Sequence, residues 1–407
     1  MKTLSGKVRR LEESATLAFT ARARDLRASG VDVVSLTAGE PDFPTPLHVK
    51  MAAIRAIEEN FTHYTANKGI PELVRAIREK FERDNNLRFD PSQILVSCGA
   101  KHSIYNTLQA ICNPGDEVVV AAPYWVTYPE IVKLVDAIPV IVSSGPEEHY
   151  KLTAKKLRRA INAKTKAFIF NSPSNPTGSV YSQGEIEELA DVVKKTGIYV
   201  VADEIYEKIV YDGAKHFSIG SIREIRDHVV TINGFSKAYA MTGWRLGYLG
   251  APRDIADAAA KVQSQVTSNA TSITQKAAVA ALCGPQDDVA AMVKEFQRRR
   301  DFVVERFTRI PEVASPLKGE GFRTPRGAFY LFPSLAGLTG KRVDGKLMRD
   351  DTDLCFHFLN NHHLAMVPGS AFGAKNCVRM SYACSMKELE SGLTRFEEGV
   401  KALRSAY

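Results

Sequence analysis

The 407-residue chain has few cysteines, no long apolar stretch and no dinucleotide-binding motif. Its six cysteines are scattered without a C-x-x-C pair, which argues against a zinc site and fits a reducing compartment. No segment approaches the roughly 20 apolar residues that a membrane-spanning helix requires. No G-x-G-x-x-G motif opens a helix, which disfavours a dehydrogenase. These absences favour a soluble, globular protein of the cytoplasm.

The N-terminal segment and the charge pattern exclude further classes. Residues 1–14 lack an apolar core and include Glu12 and Glu13, so we expect neither a signal peptide nor a transit peptide. The net charge of +8 comes from 54 basic and 46 acidic residues, and the two signs are interspersed. Because no basic tract carries interleaved aromatic residues, nucleic-acid binding is disfavoured. The charge instead favours anionic substrates.

The group of residues most similar to a metal-binding cluster is formed by His357, His362 and His363. No cysteine or carboxylate partner stands at ligand spacing, so we interpret this group as the polar surface of a helix. The sequence therefore predicts no metal site.

The pattern of apolar runs predicts an α/β fold in two domains, since single cores stop growing near roughly 250–300 residues. Runs typical of strands buried on both faces alternate with amphipathic helices, which predicts a mainly parallel sheet. The predicted strands cover 93–97, 117–121, 139–142, 167–171, 199–202, 229–233 and 246–250. A long helix over 287–309 should lead to a smaller α+β domain with strands at 328–332 and 378–382. The glycine- and charge-rich segments 319–327 and 338–353 are predicted loops.

One lysine and one arginine lie in a run of small residues that follows an apolar strand, at positions 237 and 245. A primary amine in a partly desolvated pocket loses its proton readily and can form a Schiff base with an aldehyde. The small neighbours of Lys237 leave room for a bulky cofactor, whose phosphate Arg245 could bind. A lysine taken alone is more often a surface cation, so this assignment depends on other segments.

Two neighbouring predicted strands also end in polar groups. The run 198–202 ends at Asp203, with Tyr206 three residues later. Catalytic groups of open α/β sheets lie at such strand ends. An aspartate there can keep a pyridine nitrogen protonated, and Tyr206 can hydrogen-bond the 3'-oxygen of the ring, although helix-capping aspartates are as common. Asn175 stands between two prolines after the strand over 166–170.

A phosphate site is predicted independently where residues 97–101 end a strand and open a helix. The backbone amides of Gly99, Ala100 and Lys101 can point at an anion there, since the helix dipole favours negative charge. Such a glycine is often purely structural, but Ser236 and Arg245 would supply the remaining donors.

These motifs together resemble fold-type I, pyridoxal-phosphate-dependent class I/II aminotransferases, and within them the aspartate aminotransferase subgroup Ib. Any one motif is a weak indication, but several in order make chance agreement implausible. The resemblance runs nearly end to end and is carried by segments 35–43, 63–64, 69–73, 97–101, 123–129, 171–178, 203–206, 233–248, 368–373 and 378–382.

The resemblance implies a large pyridoxal 5'-phosphate domain at 46–294, with a seven-stranded sheet, and a small domain made of 1–45 and 295–407. It implies that Lys237 holds the cofactor and carries a proton, with Asp203 and Tyr206 as catalytic partners. Tyr64 would reach the phosphate from the neighbouring subunit of a homodimer, and Trp125 would stack on the ring. Cofactor contacts are thus implied for Gly99, Ala100, Lys101, Trp125, Asn175, Asp203, Tyr206, Ser236, Lys237, Arg245 and Tyr64.

The implied substrates are aspartate, glutamate, oxaloacetate and 2-oxoglutarate. Arg379 would bind the α-carboxylate, and Lys101 the distal one. Some relatives also convert prephenate to arogenate, with a threonine at the position of Thr37 and a lysine near the N-terminus. The aligned residue is Glu12, and Lys7, Arg9 and Arg10 are alternative cations nearby, so prephenate use stays open. Substrate contacts are implied for Gly39, Lys101, Trp125, Asn175, Arg379, Thr37 and Glu12. An aromatic or broad-specificity aminotransferase and a β-lyase remain alternatives.

Overall fold

The computed structural model describes residues 4–12, 15–314, 323–343 and 345–405. Within them the α-helices are α1 (Gly6–Arg9), α2 (Ala15–Ala28), α3 (Leu47–Glu58), α4 (Pro71–Asn85), α5 (Ala100–Ile111), α6 (Thr127–Leu134), α7 (Ala154–Ala160), α8 (Gln183–Thr196), α9 (Arg253–Val266), α10 (Ser272–Cys283), α11 (Asp287–Thr308), α12 (Pro311–Ala314), α13 (Asp351–His362) and α14 (Met386–Ser405). The strands are β1 (Val34–Ser35), β2 (Ile94–Ser97), β3 (Glu117–Ala122), β4 (Ile138–Ser143), β5 (Thr165–Asn171), β6 (Tyr199–Asp203), β7 (Val229–Gly234), β8 (Gly247–Gly250), β9 (Tyr330–Leu331), β10 (Arg342–Val343), β11 (Lys346–Leu347), β12 (Leu364–Ala365), β13 (Val367–Pro368) and β14 (Val378–Ser381).

Seven strands form one sheet in the order β2-β8-β7-β6-β5-β3-β4. β8 runs antiparallel to β2 and β7, and the remaining neighbours pair in parallel, so the prediction of a mainly parallel seven-stranded sheet is confirmed. Both faces are covered: Val118 and Val120 pack into one apolar cluster, and Val119 packs into another on the opposite face. Burial on both faces explains why these strands are continuous apolar runs in the sequence.

Helix α8, on one face of the sheet, begins and ends at residues with clear capping chemistry. At the start of α8, Ser182 and Glu185 form a capping box, and the helix ends at Gly197 in the left-handed conformation. None of the described helices has both the length and the apolarity to cross a bilayer.

The N-terminal and C-terminal parts of the chain share a separate apolar cluster. β1 pairs in parallel with β12, and β14 lies between β13 and β9 in a small antiparallel sheet. Phe19 and Leu36 pack in one cluster with Phe358 and Phe396. This packing is what a small domain built from both ends of the chain requires. The boundaries at 45/46 and 294/295 stay a prediction, and α11 runs through the second of them.

Two sequence-based interpretations of the C-terminal part are wrong. The predicted loop 338–353 contains the β10–β11 hairpin, and its last residues begin α13, because the Asp350 side chain accepts a hydrogen bond from the Asp353 amide and caps that helix. The predicted loop 319–327 lies partly outside the described residues. His357 is on a helix as predicted, but it is buried rather than part of a polar surface.

Candidate active site

A cavity of about 410 Å³ lies beyond the carboxyl ends of β5, β6 and β7. In a parallel sheet these ends share one edge, so side chains that follow different strands meet there. The volume is typical of a small-molecule site. Among the residues selected from the sequence, the cavity wall contains Gly39, Ala100, Lys101, Trp125, Asn175, Asp203, Tyr206, Ser236, Lys237, Arg245 and Arg379.

Lys237 follows β7 and lines this cavity. Its Nζ donates a hydrogen bond to the Gly39 carbonyl and lies 5.9 Å from the ring centroids of both Tyr206 and Phe329. Burial lowers the pKa of Lys237 to about 8, and the charges of Arg379 and Arg245 act in the same direction. The amine therefore loses its proton close to neutral pH.

Asp203 ends β6 and is 3% exposed. Its Oδ2 accepts a 2.7 Å hydrogen bond from the Tyr128 hydroxyl, and its Oδ1 accepts a 3.2 Å bond from the Ile205 amide. Burial raises the pKa of Asp203 to about 6, although these two donors oppose the rise. Tyr128 lies inside a motif that carried the family resemblance, but the sequence did not single it out. The structure thus adds a positioning residue that favours the charged carboxylate.

Tyr128→Phe should move the acid limb of the activity profile to higher pH. Without its phenol donor, Asp203 is more easily protonated, so activity that needs the carboxylate fails sooner as the pH falls. A hydrogen bond to a charged group is worth about 1.5–3 kcal/mol, which corresponds to a shift of about one to two pH units. The measurement is kcat/KM against pH, with L-aspartate, which the family resemblance implies, as substrate. Tyr199→Phe, at the far end of β6, is the matched control, and an unshifted Tyr128→Phe profile would remove Tyr128 from this role.

The part of the cavity beside the start of α5 and Arg245 is suited to an anion. α5 begins at Ala100 behind Gly99, whose φ of 91° favours glycine. A side chain at Gly99 would place its Cβ 2.5 Å from Arg245 Nη2, so glycine is needed for the arginine to approach. Arg245 itself has a φ of 52°, a conformation that costs a non-glycine residue energy and often marks a functional site. Helix amides, the guanidinium and the Ser236 hydroxyl together are a set of donors suited to an anion.

Arg379 lies on β14 at a third part of the cavity and is 2% exposed. Its Nη1 donates to Asn175 Oδ1 at 3.1 Å, and its Nη2 donates to the Thr37 carbonyl at 2.8 Å. The guanidinium carbon lies 4.6 Å from the Tyr330 ring centroid and 4.9 Å from that of Phe372. Among the described residues Arg379 Nε has no hydrogen-bond partner. A buried planar cation with a free N–H is suited to a ligand carboxylate.

Two further contacts define the cavity wall. The hydroxyl groups of Tyr206 and Tyr330 lie 2.9 Å apart; Tyr330 was predicted only as part of a strand, and no local pattern marks this pairing. Lys101 Nζ lies 4.8 Å from the Trp125 ring centroid. Partial burial, followed by the charge of Arg245, lowers the pKa of Lys101.

Four of the selected residues do not line this cavity. Gly99 lies against the Arg245 guanidinium. Thr37 contributes its carbonyl to Arg379, while its hydroxyl is shared with Thr20 and Ser35 at 2.8 and 2.9 Å. Glu12 donates its backbone amide to Glu130 at 3.0 Å. Tyr64 is 91% exposed, so within one protomer it contacts no part of the cavity.

A larger groove of about 890 Å³ lies beside α4 and the start of β7. Its wall carries exposed charges of both signs, including Arg75, Glu79, Arg223 and Asp227. None of the residues selected from the sequence lines it, and its carboxylates offset most of its cations. The smaller cavity, where buried ionisable groups converge, is therefore the better candidate for chemistry.

Comparison with known proteins agrees with this geometry. The family profile described as aminotransferase class I and II matches residues 31–396. The chain is 43% identical over 401 residues to aspartate aminotransferase of Bacillus sp. (strain YM-2), covering 98% of this chain and 99% of that protein. It is 44% identical over 400 residues to aspartate/prephenate aminotransferase of Cereibacter sphaeroides, covering 98% of each.

A solved structure, that of Thermus thermophilus aspartate aminotransferase with maleate, matches with a TM-score of 0.90 and 41% identity over 98% of this chain and 100% of that one. Sequence, fold and relatives thus agree. The chain belongs to the class I and II aminotransferase family.

Proposed function

We propose that this protein is an aspartate aminotransferase that moves the amino group between L-aspartate or L-glutamate and 2-oxo acids in a two-step, ping-pong reaction. The observation that carries the proposal is the convergence of a partly buried amine, a buried carboxylate and a buried guanidinium in one cavity, at Lys237, Asp203 and Arg379. Amino transfer needs each of these three groups. The aspartate aminotransferases that share more than two fifths of the sequence support the same activity.

Pyridoxal 5'-phosphate, on which this family depends, suits the residues that line the cavity. The amides at the start of α5, Ser236 and Arg245 suit its phosphate, Asp203 suits its ring nitrogen, and Tyr206 its 3'-oxygen. When bound, the cofactor supplies an aldehyde that links reversibly to amines and a ring that withdraws electrons from the substrate carbon.

The side chains of the protein then have separate tasks. Lys237, whose pKa is lowered to about 8, can take a proton from the substrate α-carbon and would deliver it to the aldehyde carbon of the cofactor. Asp203 supplies the negative charge that keeps the ring nitrogen protonated. Arg379 fixes the α-carboxylate, and the aromatic rings beside it keep its guanidinium plane oriented.

Dicarboxylic acids are the proposed substrates, with Lys101 as the cation for the distal carboxylate. Its amine lies over Trp125 in the cavity, apart from the Arg379 position. Maleate, the molecule with the Thermus thermophilus structure, is itself a dicarboxylate. The Cereibacter sphaeroides relative, named for both aspartate and prephenate, favours prephenate as a second amino acceptor.

Oxaloacetate should be a better amino acceptor than phenylpyruvate, which lacks the second carboxylate. A charged hydrogen bond worth about 1.5–3 kcal/mol predicts a ratio of about 10- to 100-fold in kcat/KM. The measurement compares oxaloacetate, prephenate and phenylpyruvate with glutamate as donor. In the Lys101→Gln variant, the ratio of kcat/KM for oxaloacetate to kcat/KM for phenylpyruvate should decrease. A preference for phenylpyruvate would contradict the dicarboxylate proposal and favour an aromatic aminotransferase.

A homodimer is proposed as the active form. Leu47, Met51, Ile54 and Ile57 are exposed on α3, and their spacing places them along one face of the helix. An exposed apolar stripe of this kind is typical of a protein interface. A second copy is the proposed occupant because Tyr64 follows α3 and is exposed in the single protomer, whereas the family resemblance assigns it to the neighbouring site.

Tyr64→Phe should weaken cofactor retention without unfolding the protein, since it removes one hydroxyl from a surface side chain. The measurement is the dissociation constant of pyridoxal 5'-phosphate, with His63→Gln as the neighbouring control. Light scattering during turnover provides the independent check. An active monomer would contradict the proposed dimer, because such a site would be complete without Tyr64 of a second subunit.

A further inference from the structure

The turn that follows β6 presents its side chains to two different environments. Asp203 and Tyr206 line the cavity, whereas Glu204 and Glu207 do not. Both glutamates are nevertheless buried, with Glu204 at 0% exposure. Buried carboxylates destabilise a fold unless partners satisfy them, so their partners decide what this second side of the turn does.

The partners form one connected cluster beneath the turn. Lys80 of α4 pairs with Glu207 and donates to Asn85 Oδ1 at 2.6 Å, while Asn85 Nδ2 donates to Glu207 Oε2 at 2.7 Å. His216 Nε2 lies 2.9 Å from Glu204 Oε2. The Ser218 hydroxyl donates to Glu204 Oε1 at 2.7 Å.

Charge balance in this buried cluster favours a protonated histidine. Two carboxylates face one lysine, and the side chain of His216 is 7% exposed. Burial disfavours the imidazolium, but Glu204 and Glu207 outweigh that effect, so the pKa of His216 lies above its usual value. Burial also acts against the Glu207 carboxylate, yet Lys80 and His216 hold its pKa below the usual value. The next layer is the Asp84–Lys208 pair at 2.7 Å, with the phenols of Tyr239 and Tyr248.

A divalent cation is the competing explanation. The ligand atoms of Glu204, Glu207 and His216 lie within 4.8 Å of one another, a grouping that the sequence-based expectation of no metal site did not anticipate. Lys80 already pairs with Glu207, however. With Lys80 and a protonated His216, the two carboxylates are neutralised, and an added dication would leave excess buried charge.

The cluster is also electrostatically coupled to the cavity. Burial is the main cause of the raised pKa of Asp203, and the neighbouring charge of Glu204 adds to it. Cations that offset Glu204 therefore favour the ionised form of Asp203.

We propose that Glu204, Glu207, Lys80 and His216 form a charge-balanced cluster that positions the 203–207 turn and keeps Asp203 charged, with His216 as its pH-sensitive member. These four are positioning residues, since none contacts the cavity. The role in catalysis rests on the proposed aminotransferase function, whereas the charge state of His216 does not.

The charge state is tested first, in the intact wild-type protein. The His216 imidazole resonance, assigned with His216→Gln, should titrate above the usual value of about 6.5. A raised folded pKa stabilises the fold below the unfolded value, and that contribution is lost as the pH rises through the folded pKa. The Tm of His216→Gln should thus be several degrees below that of wild type near pH 6. This difference in Tm should become smaller as the pH is raised into the alkaline range. Titration at or below the usual value would overturn the proposal, whatever reaction the enzyme catalyses.

The coupling to Asp203 is tested by two variants in which the acid limb of the pH profile should shift in opposite directions. His216→Gln removes a positive charge near Glu204, so the acid limb of kcat/KM should move to higher pH. Glu204→Gln removes the negative charge, so the limb should move to lower pH. A merely structural role would lower activity at every pH without opposite shifts, and that result would overturn the coupling. His228→Gln, at the start of β7, is the matched control and should not shift the limb.

The metal alternative is tested by titrating chelator-treated wild-type protein with Zn²⁺ in a calorimeter. If the protein shows no Zn²⁺ binding that depends on His216, the result supports the charge-balanced cluster. Stoichiometric binding that His216→Gln abolishes would overturn it in favour of a metal site.

Discussion

Replacement of Lys237 by alanine is expected to abolish amino transfer while leaving the protein folded. The amine lines the cavity, and its pKa is lowered to about 8. General acid–base catalysis contributes up to about 10⁴-fold, and loss of the covalent link to the cofactor adds to that. Turnover of L-aspartate with 2-oxoglutarate measures the effect.

The Lys237 variant should still bind pyridoxal 5'-phosphate weakly, because the phosphate contacts at α5, Ser236 and Arg245 are untouched. Equilibrium dialysis separates that residual binding from activity. Lys195→Ala is the matched control, since Lys195 is exposed on α8 and pairs with Asp191. Near-normal transamination by Lys237→Ala would show that another residue carries the proton.

Asp203→Ala is the second variant with a large expected effect. The carboxylate is buried, and its two oxygens already accept hydrogen bonds from Tyr128 and Ile205, so its position is fixed before any ligand binds. Loss of its charge removes stabilisation that is made mainly in the transition state, which lowers kcat rather than raising KM alone. Removing a preorganised electrostatic group costs roughly 10²- to 10³-fold.

The test separates kcat from KM for L-aspartate. Asp203→Asn preserves the size of the side chain but not the charge, and should lose activity on the same scale as the alanine variant. If Asp203→Asn retained wild-type kcat, the role of the aspartate would be steric rather than electrostatic.

The sheet and much of the cavity could be predicted because each depends on local sequence. Strands buried on both faces are apolar throughout, so β5, β6 and β7 stand out, and their carboxyl ends must share an edge. Lys237 and Asp203 follow such strands directly. The family resemblance added residues from distant segments, such as Arg379, which periodicity alone does not connect to this edge.

Contacts between distant segments could not be predicted. Tyr128 and Asp203 are 75 residues apart in the chain, and Tyr206 and Tyr330 are 124 apart. A tyrosine that hydrogen-bonds a buried carboxylate has the same local pattern as one that only fills the core. Lys80 lies on α4 among many charged residues, and only the packing of α4 beneath the β6 turn buries it.

Amino transfer from L-aspartate to 2-oxoglutarate by the purified protein with pyridoxal 5'-phosphate tests the central claim most directly. We expect oxaloacetate and L-glutamate to form in equal amounts, with the parallel double-reciprocal plots of a ping-pong reaction. Release of ammonia in place of glutamate formation would contradict it and identify a lyase built on the same fold.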